Sequence, residues 1–467
     1  MSETGHARTI AYRRDIDGLR AVAVVAVTLF HLGFHSLEGG FLGVDVFFVI
    51  SGFLITAIIE KRTGNGKLSF KDFYFGRIRR LLPAMLVTVA ATLIGAAIIM
   101  TPDDLIAFAG SAIGAILSVS NFVFYFESGY WDTASELKPL LHTWSLGVEE
   151  QFYLFWPALL LLVFVNFAKR AGLIFALISA AGLALSEYMR ATDPSAAFYL
   201  FPFRIFEFSL GALVIYIGRG GLWSSLSRFA VIRDGVGIVG LGIICASVWF
   251  YKGSTPFPGI YALPPVLGTM MVILAGCGDR GTGPVSRAVL SNPVSNWLGQ
   301  VSYSMYLAHW PIIVLYRYET GLELELAEQA GLAVAILIAT ILLHYGVERR
   351  FRYKAPDPST GTTSLNPTGF ALATLAAGYS LTLVHGHILV DRGWAWRMPD
   401  IQLTPDMIAE GMDARFNRTN AGCRIDQIGV KPGCDLDRET NILVFGNSHE
   451  PDGFNFLTAG FEAQPEL

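Results

Sequence analysis

The sequence predicts an all-α polytopic membrane protein of about eleven transmembrane helices, followed by a small external C-terminal segment. Three observations carry that expectation. Hydrophobic residues make up 53% of the 467 residues and charged residues only 15%, whereas soluble globular chains carry about 25% charged residues. Mean hydropathy is +0.48, and the apolar residues gather in runs near the ~20 residues that a bilayer crossing needs. Basic and acidic connections also alternate along the chain, as the positive-inside rule expects. This composition excludes a soluble protein, and a net charge of −4 gives no ground for a nucleic-acid partner. The lipid bilayer is the first partner expected.

Taken in order, the spans fall near 18–36, 42–60, 82–100, 143–166, 172–189, 199–217, 233–251, 262–277, 301–318, 327–347 and 369–389. The opening MSETGHARTIAYRRD lacks the apolar core and cleavage site of a signal peptide, so the first span is expected to stay. The run 104–126 is apolar enough to compete as a further span, but counting it would place Lys169 and Arg170 outside and reverse every later connection. Without it, Arg13/Arg14, Lys61 to Arg80, Lys169/Arg170, Arg219 to Arg233, Arg280/Arg287 and Glu348 to Lys354 share one side, and acidic GLELE lies on the other. The N-terminus is then cytoplasmic and the C-terminus periplasmic. Residues 101–139 become an external segment in which 104–126 is re-entrant, interfacial or packed beside the bundle.

Composition divides the chain into a transmembrane domain over 1–355, a linker with one additional helix over 356–390, and a polar periplasmic tail over 391–467. The linker PDPSTGTTSLNPT is rich in Pro, Ser and Thr, and the helix after it reads as a tether for something external. Cys423 and Cys434 have the one paired spacing among the four cysteines, Cys245 and Cys277 lying in spans. An oxidising compartment would permit a Cys423–Cys434 disulfide, and two free thiols are the alternative.

Polar residues inside apolar runs mark the candidate site, because charge at membrane depth is costly. In Arg13 to Glu60, Arg20 and His31 stand eleven positions apart, which places them on one helix face about 16 Å apart along the axis. Asp45 begins the next span and could orient His31, pair with an arginine or favour the helix dipole. Glu149 and Glu150 diverge by ~100°, so only one could readily face His31. Ser302, Tyr303, Tyr306 and His309 share the ninth span and could line the same cavity; interhelical hydrogen bonding is the competing account. His35 pairs with His31 at i,i+4, but no acidic or Cys ligand accompanies them in a recognisable motif, so no metal is expected.

Five segments in order resemble the acyltransferase-3 family of membrane O-acyltransferases. They are the Arg20-to-His31 helix with GVDVFFVISGFLIT, FGRIRRLLPA, HTWSLGVEEQFYLFWP, VSYSMYLAHWP and VERRFR, and together they cover residues 12 to 353. The resemblance implies acyl-CoA, in particular acetyl-CoA, as a cytoplasmic donor substrate with no permanently bound cofactor. It implies a polysaccharide or glycolipid acceptor outside, and a bacterial inner-membrane location. Arg77 and Arg80, with Arg79 and Arg20, could hold the phosphates of coenzyme A, although positive-inside anchoring would need the same residues. Tyr306 and His309 are further donor-cavity candidates. His31 is the candidate base or acyl carrier, with Arg20, Asp45 and Glu149 around it; a buried structural histidine is the alternative.

In the tail, TNILVFGNSHEPDGF resembles the first block of the SGNH hydrolases, an α/β fold in which such a strand and turn present a nucleophilic serine, here Ser448. Asn447 stands where that family usually has Asp, and a strand with a polar turn is the other reading. The function expected is transfer of an acyl group, acetyl in particular, from cytoplasmic acyl-CoA to a hydroxyl of a cell-envelope or exported polysaccharide such as an O-antigen. A transporter or flippase for a lipid-linked glycan would use the same buried charges. A membrane receptor or scaffold would use none of Arg20, His31 and RIRR together.

Overall fold

Large apolar side chains stand on the outer surface while charged ones are found in the interior beside the apolar core. Ile98, Leu154, Val165, Leu177, Val231 and Leu342 are exposed, whereas Asp45, Arg204, Glu207, Ser304, His309 and Glu348 are buried. That inversion of the soluble pattern is what a lipid environment imposes, since hydrocarbon satisfies neither charge nor hydrogen bond. The computed structural model describes residues 12–66, 68–128, 135–277, 281–352 and 367–398, with 425–426 and 429–430.

The helices in order begin with α1 Arg14–His31, α2 Gly43–Gly64, α3 Phe70–Ile99, α4 Pro102–Ile116, α5 Ser120–Glu127 and α6 Thr143–Asn166. Next come α7 Ala171–Thr192, α8 Pro194–Tyr199, α9 Ile205–Arg219, α10 Gly221–Leu226, α11 Ala230–Phe250 and α12 Leu263–Ala275. The series ends with α13 Pro284–Leu290, α14 Pro293–Thr320, α15 Leu326–Leu343, α16 Arg349–Arg352 and α17 Pro367–Val390. Every expected span is helical, but seven stretches among the described residues are long and apolar enough by themselves to cross a membrane. They hold α2, α3, α6, α7, α11, α15 and α17.

The count of about eleven is therefore not reached on length and composition, and the reason is burial. Helix α1 carries Arg14, Asp15, Asp17 and Arg20, and α14 is interrupted by serines, tyrosines, His309 and Arg317. Helices α9 and α12 have only 15 and 13 residues. All four pack against neighbours inside the bundle, where a helix need not be apolar all round. Helix α3 also starts well before the expected residue 82, taking the whole RIRR segment into a continuous helix through Pro83. The run 104–126 is split into α4 and α5 around Ser118, whose φ is +59°. Helix α4 packs beside α3 and α17, so this segment lies alongside the bundle.

Residues Met1–Gly393 form one compact unit and Trp394–Leu467 another. In the second, the described pairing is a short antiparallel ladder, Ile425 with Val430 and Asp426 with Gly429. Cys423, Cys434 and the Ser448 turn lie outside the described residues.

Helices α2 and α9 approach most closely through reciprocal glycines. A Cβ at Gly52 would stand 2.0 Å from the Phe208 carbonyl oxygen, and one at Gly211 2.1 Å from that of Val49. At this crossing Arg204, just before α9, lies 3.2 Å from Asp45 on α2 and 3.2 Å from Glu207 one turn along α9. Phe208 stacks between Phe48 and Phe152 at 4.6 and 4.2 Å, extending the contact to α6. Gly211→Val is expected to force the helices apart and cost about 1–3 kcal/mol as overpacking. Thermal melting in detergent checks this; an unchanged transition would show that the crossing has slack.

Candidate active site

Helix α1 runs past two cavities. The first is about 100 Å³ and is lined by Arg20, Arg77, Arg80, Ser51, Glu149 and Tyr303, among others. Helix α3 brings Arg77 and Arg80 to it because an i,i+3 pair projects to one helix face. The Arg77 guanidinium lies 4.1 Å from the centre of the Tyr153 ring, a cation–π contact that fixes the side chain without using its hydrogen-bond donors. Ser51 donates to Glu149, and the Tyr303 hydroxyl donates to the Leu81 carbonyl at 2.8 Å, tying α14 to α3. Three arginines face one lining glutamate, so this cavity has the charge for an anion. Arg79, between the two, is not among its lining residues.

The second cavity is about 580 Å³ and holds His31, Asp45, His142, Arg204, Trp310 and Arg317 in its wall. Val44 and Tyr306 line both cavities. Tyr306 is held by a hydrogen bond from its hydroxyl to the His142 carbonyl at 2.9 Å and by the Ser145 hydroxyl at 2.6 Å. It is thus held in place where the arginine cavity and the imidazole cavity meet.

The hydrogen bonds assign the imidazole tautomers. His309 Nδ1 lies 2.7 Å from the Tyr306 carbonyl oxygen, which can only accept, so Nδ1 carries the proton. In neutral His309 the other nitrogen, Nε2, is then an acceptor, and His31 Nδ1 donates to it at 2.9 Å. This leaves the lone pair of His31 on Nε2, the arrangement a general base or nucleophile needs. Arg317 donates to the His31 carbonyl at 3.0 Å, securing the last turn of α1. Trp310 lies against His31 with ring centres 4.4 Å apart and donates from Nε1 to the Lys138 carbonyl at 2.8 Å.

The structure therefore separates some candidates and joins others. His31 and His309 meet directly, so His309 belongs beside the imidazole rather than in the donor cavity expected of it. Glu149 does not approach His31: it lines the arginine cavity, because seven positions along α6 carry the helix from His142 at one cavity to Glu149 at the other. Asp45 shares the cavity of His31, but its ionic partner is Arg204. His35 falls in the turn after α1, past Gly33 at φ +88°, so the i,i+4 relation to His31 does not exist. Glu348 is buried beside Ser304 and His344 at 2.8 and 3.0 Å, well inside the end of the bundle. Ser448 lies outside the described residues.

Arg204, Glu207 and Arg317 were not among the candidates. The first two could have been found: RIFEF puts a basic and an acidic residue in an apolar run at i,i+3, and intramembrane charge is a site signal by default. Arg317, near the end of its span, looks like an interface anchor in sequence. Among the described residues no group of three or more His, Cys, Asp or Glu could hold a metal ion.

An acyltransferase family profile, described as an acyltransferase domain, matches residues 13–348. The chain is 34% identical over 323 residues to peptidoglycan O-acetyltransferase OatA of Listeria monocytogenes, covering 66% of this chain and 51% of that protein. It is 34% identical over 313 residues to the putative peptidoglycan O-acetyltransferase YrhL of Bacillus subtilis, 65% of this chain and 49% of that one. To the putative membrane-bound transacylase BcsY of Komagataeibacter xylinus it is 33% identical over 341 residues, 72% of this chain and 82% of that protein. The chain thus spans about half the length of the first two relatives. No solved structure matches it. The extent of the matched domain and these relatives place the chain in the acyltransferase-3 family of membrane O-acyltransferases.

Proposed function

We propose that this protein moves an acyl group, acetyl in particular, from acyl-CoA in the arginine cavity to a hydroxyl of a cell-envelope or exported polysaccharide in the imidazole cavity. The observation that carries this reading is the pair of cavities, one rich in arginine and one holding His31, that meet at Val44 and Tyr306. Arg77, Arg80 and Arg20 bind the phosphates of the donor, leaving its thioester directed toward Tyr306. An acceptor hydroxyl beside His31 gives its proton to Nε2 as its oxygen attacks the thioester carbonyl. The carbon–sulfur bond breaks, and the thiolate takes up a proton in turn. His309 accepts from His31 Nδ1 throughout and stabilises the imidazolium that forms. Peptidoglycan is the acceptor named for the Listeria relative, and an envelope glycan of that kind is the acceptor class proposed here. Ser448, in the segment that resembles the SGNH hydrolases, would offer a second acyl carrier. The arginine cavity opens to the cytoplasm in this reading, which follows the basic connections.

Replacing both Arg77 and Arg80 by Gln should weaken acyl-CoA binding by about 1.5–3 kcal/mol for each charge-assisted bond lost, measured by equilibrium binding to purified protein. Unchanged affinity would return them to anchoring. His31→Gln keeps a polar side chain of similar size but cannot act as a base near neutrality, so acyl transfer should fall by at least ~100-fold while donor binding persists. Near-normal transfer by that folded variant removes His31 from the chemistry. A cysteine placed at exposed Lys71 should react with impermeant maleimide from the cytoplasmic side alone, and one at Thr255 from outside alone. The reverse pattern would invert donor and acceptor sides.

A further inference from the structure

The imidazole cavity contains polar groups that the acyl-transfer chemistry does not use. Asp45 and Arg204, in its wall, are 0% and 1% exposed, and Glu207, paired with Arg204 outside that wall, is 0% exposed. Arg204 lies 3.2 Å from each carboxylate, an ion-pair distance, while its Nε and Nη1 make no aligned hydrogen bond. Buried polar atoms nearly always have such partners. Asp45 and Arg204 also line the cavity, so the Arg204 donors left without a hydrogen bond can meet an occupant.

Two further features define that occupant. The cavity wall includes Asp45 and Glu136 against Arg204 and Arg317, a balance with no surplus for an anion, in contrast to three arginines against one glutamate at the other cavity. Around the Arg204 guanidinium stand aromatic rings: Phe257, Trp144 and Phe198 have their centres 5.2, 5.7 and 5.8 Å away, and all three line the cavity. A volume of about 580 Å³ is ample for a small ligand. Aromatic faces take the C–H side of a pyranose ring, while a carboxylate and a guanidinium accept from and donate to its hydroxyls.

We propose that Asp45 and Arg204, set among Trp144, Phe198 and Phe257, form the subsite for one uncharged sugar residue of the acceptor glycan, in the cavity that His31 lines. This rests on the acyl-transfer reading above and adds the residues that choose its acceptor. Asp45 and Arg204 act here as binding and positioning groups, and proton removal stays with His31.

The test uses the full chain expressed in a bacterial host lacking its own envelope O-acyltransferase, with variants Asp45→Asn and Phe198→Leu. Three quantities are measured: melting of purified protein, acetyl-CoA binding, and base-released ester acetate on envelope glycans per folded molecule. Both variants should bind acetyl-CoA like the unaltered protein, with ester acetate reduced at least 10-fold for Asp45→Asn and several-fold for Phe198→Leu. Mass spectrometry of the glycan should find the ester on an uncharged sugar residue. Normal ester acetate per folded molecule in either variant would overturn the subsite. If Asp45→Asn does not fold, Phe198→Leu decides. An ester located on a uronic acid or phosphorylated sugar would also overturn it. Absence of acetyl-CoA binding or of any ester with the unaltered protein would instead refute the acyl-transfer reading.

Discussion

The buried guanidinium of Arg204 between the carboxylates of Asp45 and Glu207 is the constraint on which this architecture rests. Three ionisable groups at that depth depend on one another, and removing one member of such a pair costs about 3–5 kcal/mol because the other is left uncompensated. The pairing works only if α2 and α9 come close. Gly52 and Gly211 permit that approach, each lying against the opposite backbone. With the crossing fixed, Val44 is held at the junction of the two cavities and Asp45 in the wall of the second. A charge cluster that would contribute little on a soluble surface thus sets the position of the site.

The remainder of the site follows from helices that traverse both cavities. Helix α1 presents Arg20 to one and His31 to the other, and α6 with its preceding residue does the same with Glu149 and His142. Tyr306 on α14 stands where they meet, fixed by the His142 carbonyl and the Ser145 hydroxyl. One turn along, His309 takes its tautomer from the Tyr306 carbonyl and passes that constraint to His31. A backbone carbonyl therefore decides which nitrogen of His31 is available for chemistry. It does so through a second imidazole and a backbone oxygen, without a carboxylate.

Burial also explains which spans are not apolar enough by themselves to cross a membrane. Lipid-facing helices such as α11 and α15 must be apolar over most of their surface, and they stand out. Helices α1 and α14 are shielded by neighbours, so they are free to contain the polar side chains of Arg20, Tyr306 and His309. The same freedom hid Arg317, whose partner is a backbone carbonyl near the end of a different helix.

The sequence by itself determined the helical membrane class, because hydropathy and span length are local properties of the chain. It also determined the common helix of Arg20 and His31, since helical period fixes their register, and the placement of Arg77 and Arg80 on one face. Only the tertiary structure decided who meets whom. Asp45 turned to Arg204 instead of His31, Glu149 went to Ser51, and His31 found His309 across 278 positions of sequence. Periodicity gives the direction of a side chain from its own helix, but not which neighbouring helix lies there. That choice is made by packing, where close glycine contacts and the cost of unpaired buried charge select one arrangement of the bundle.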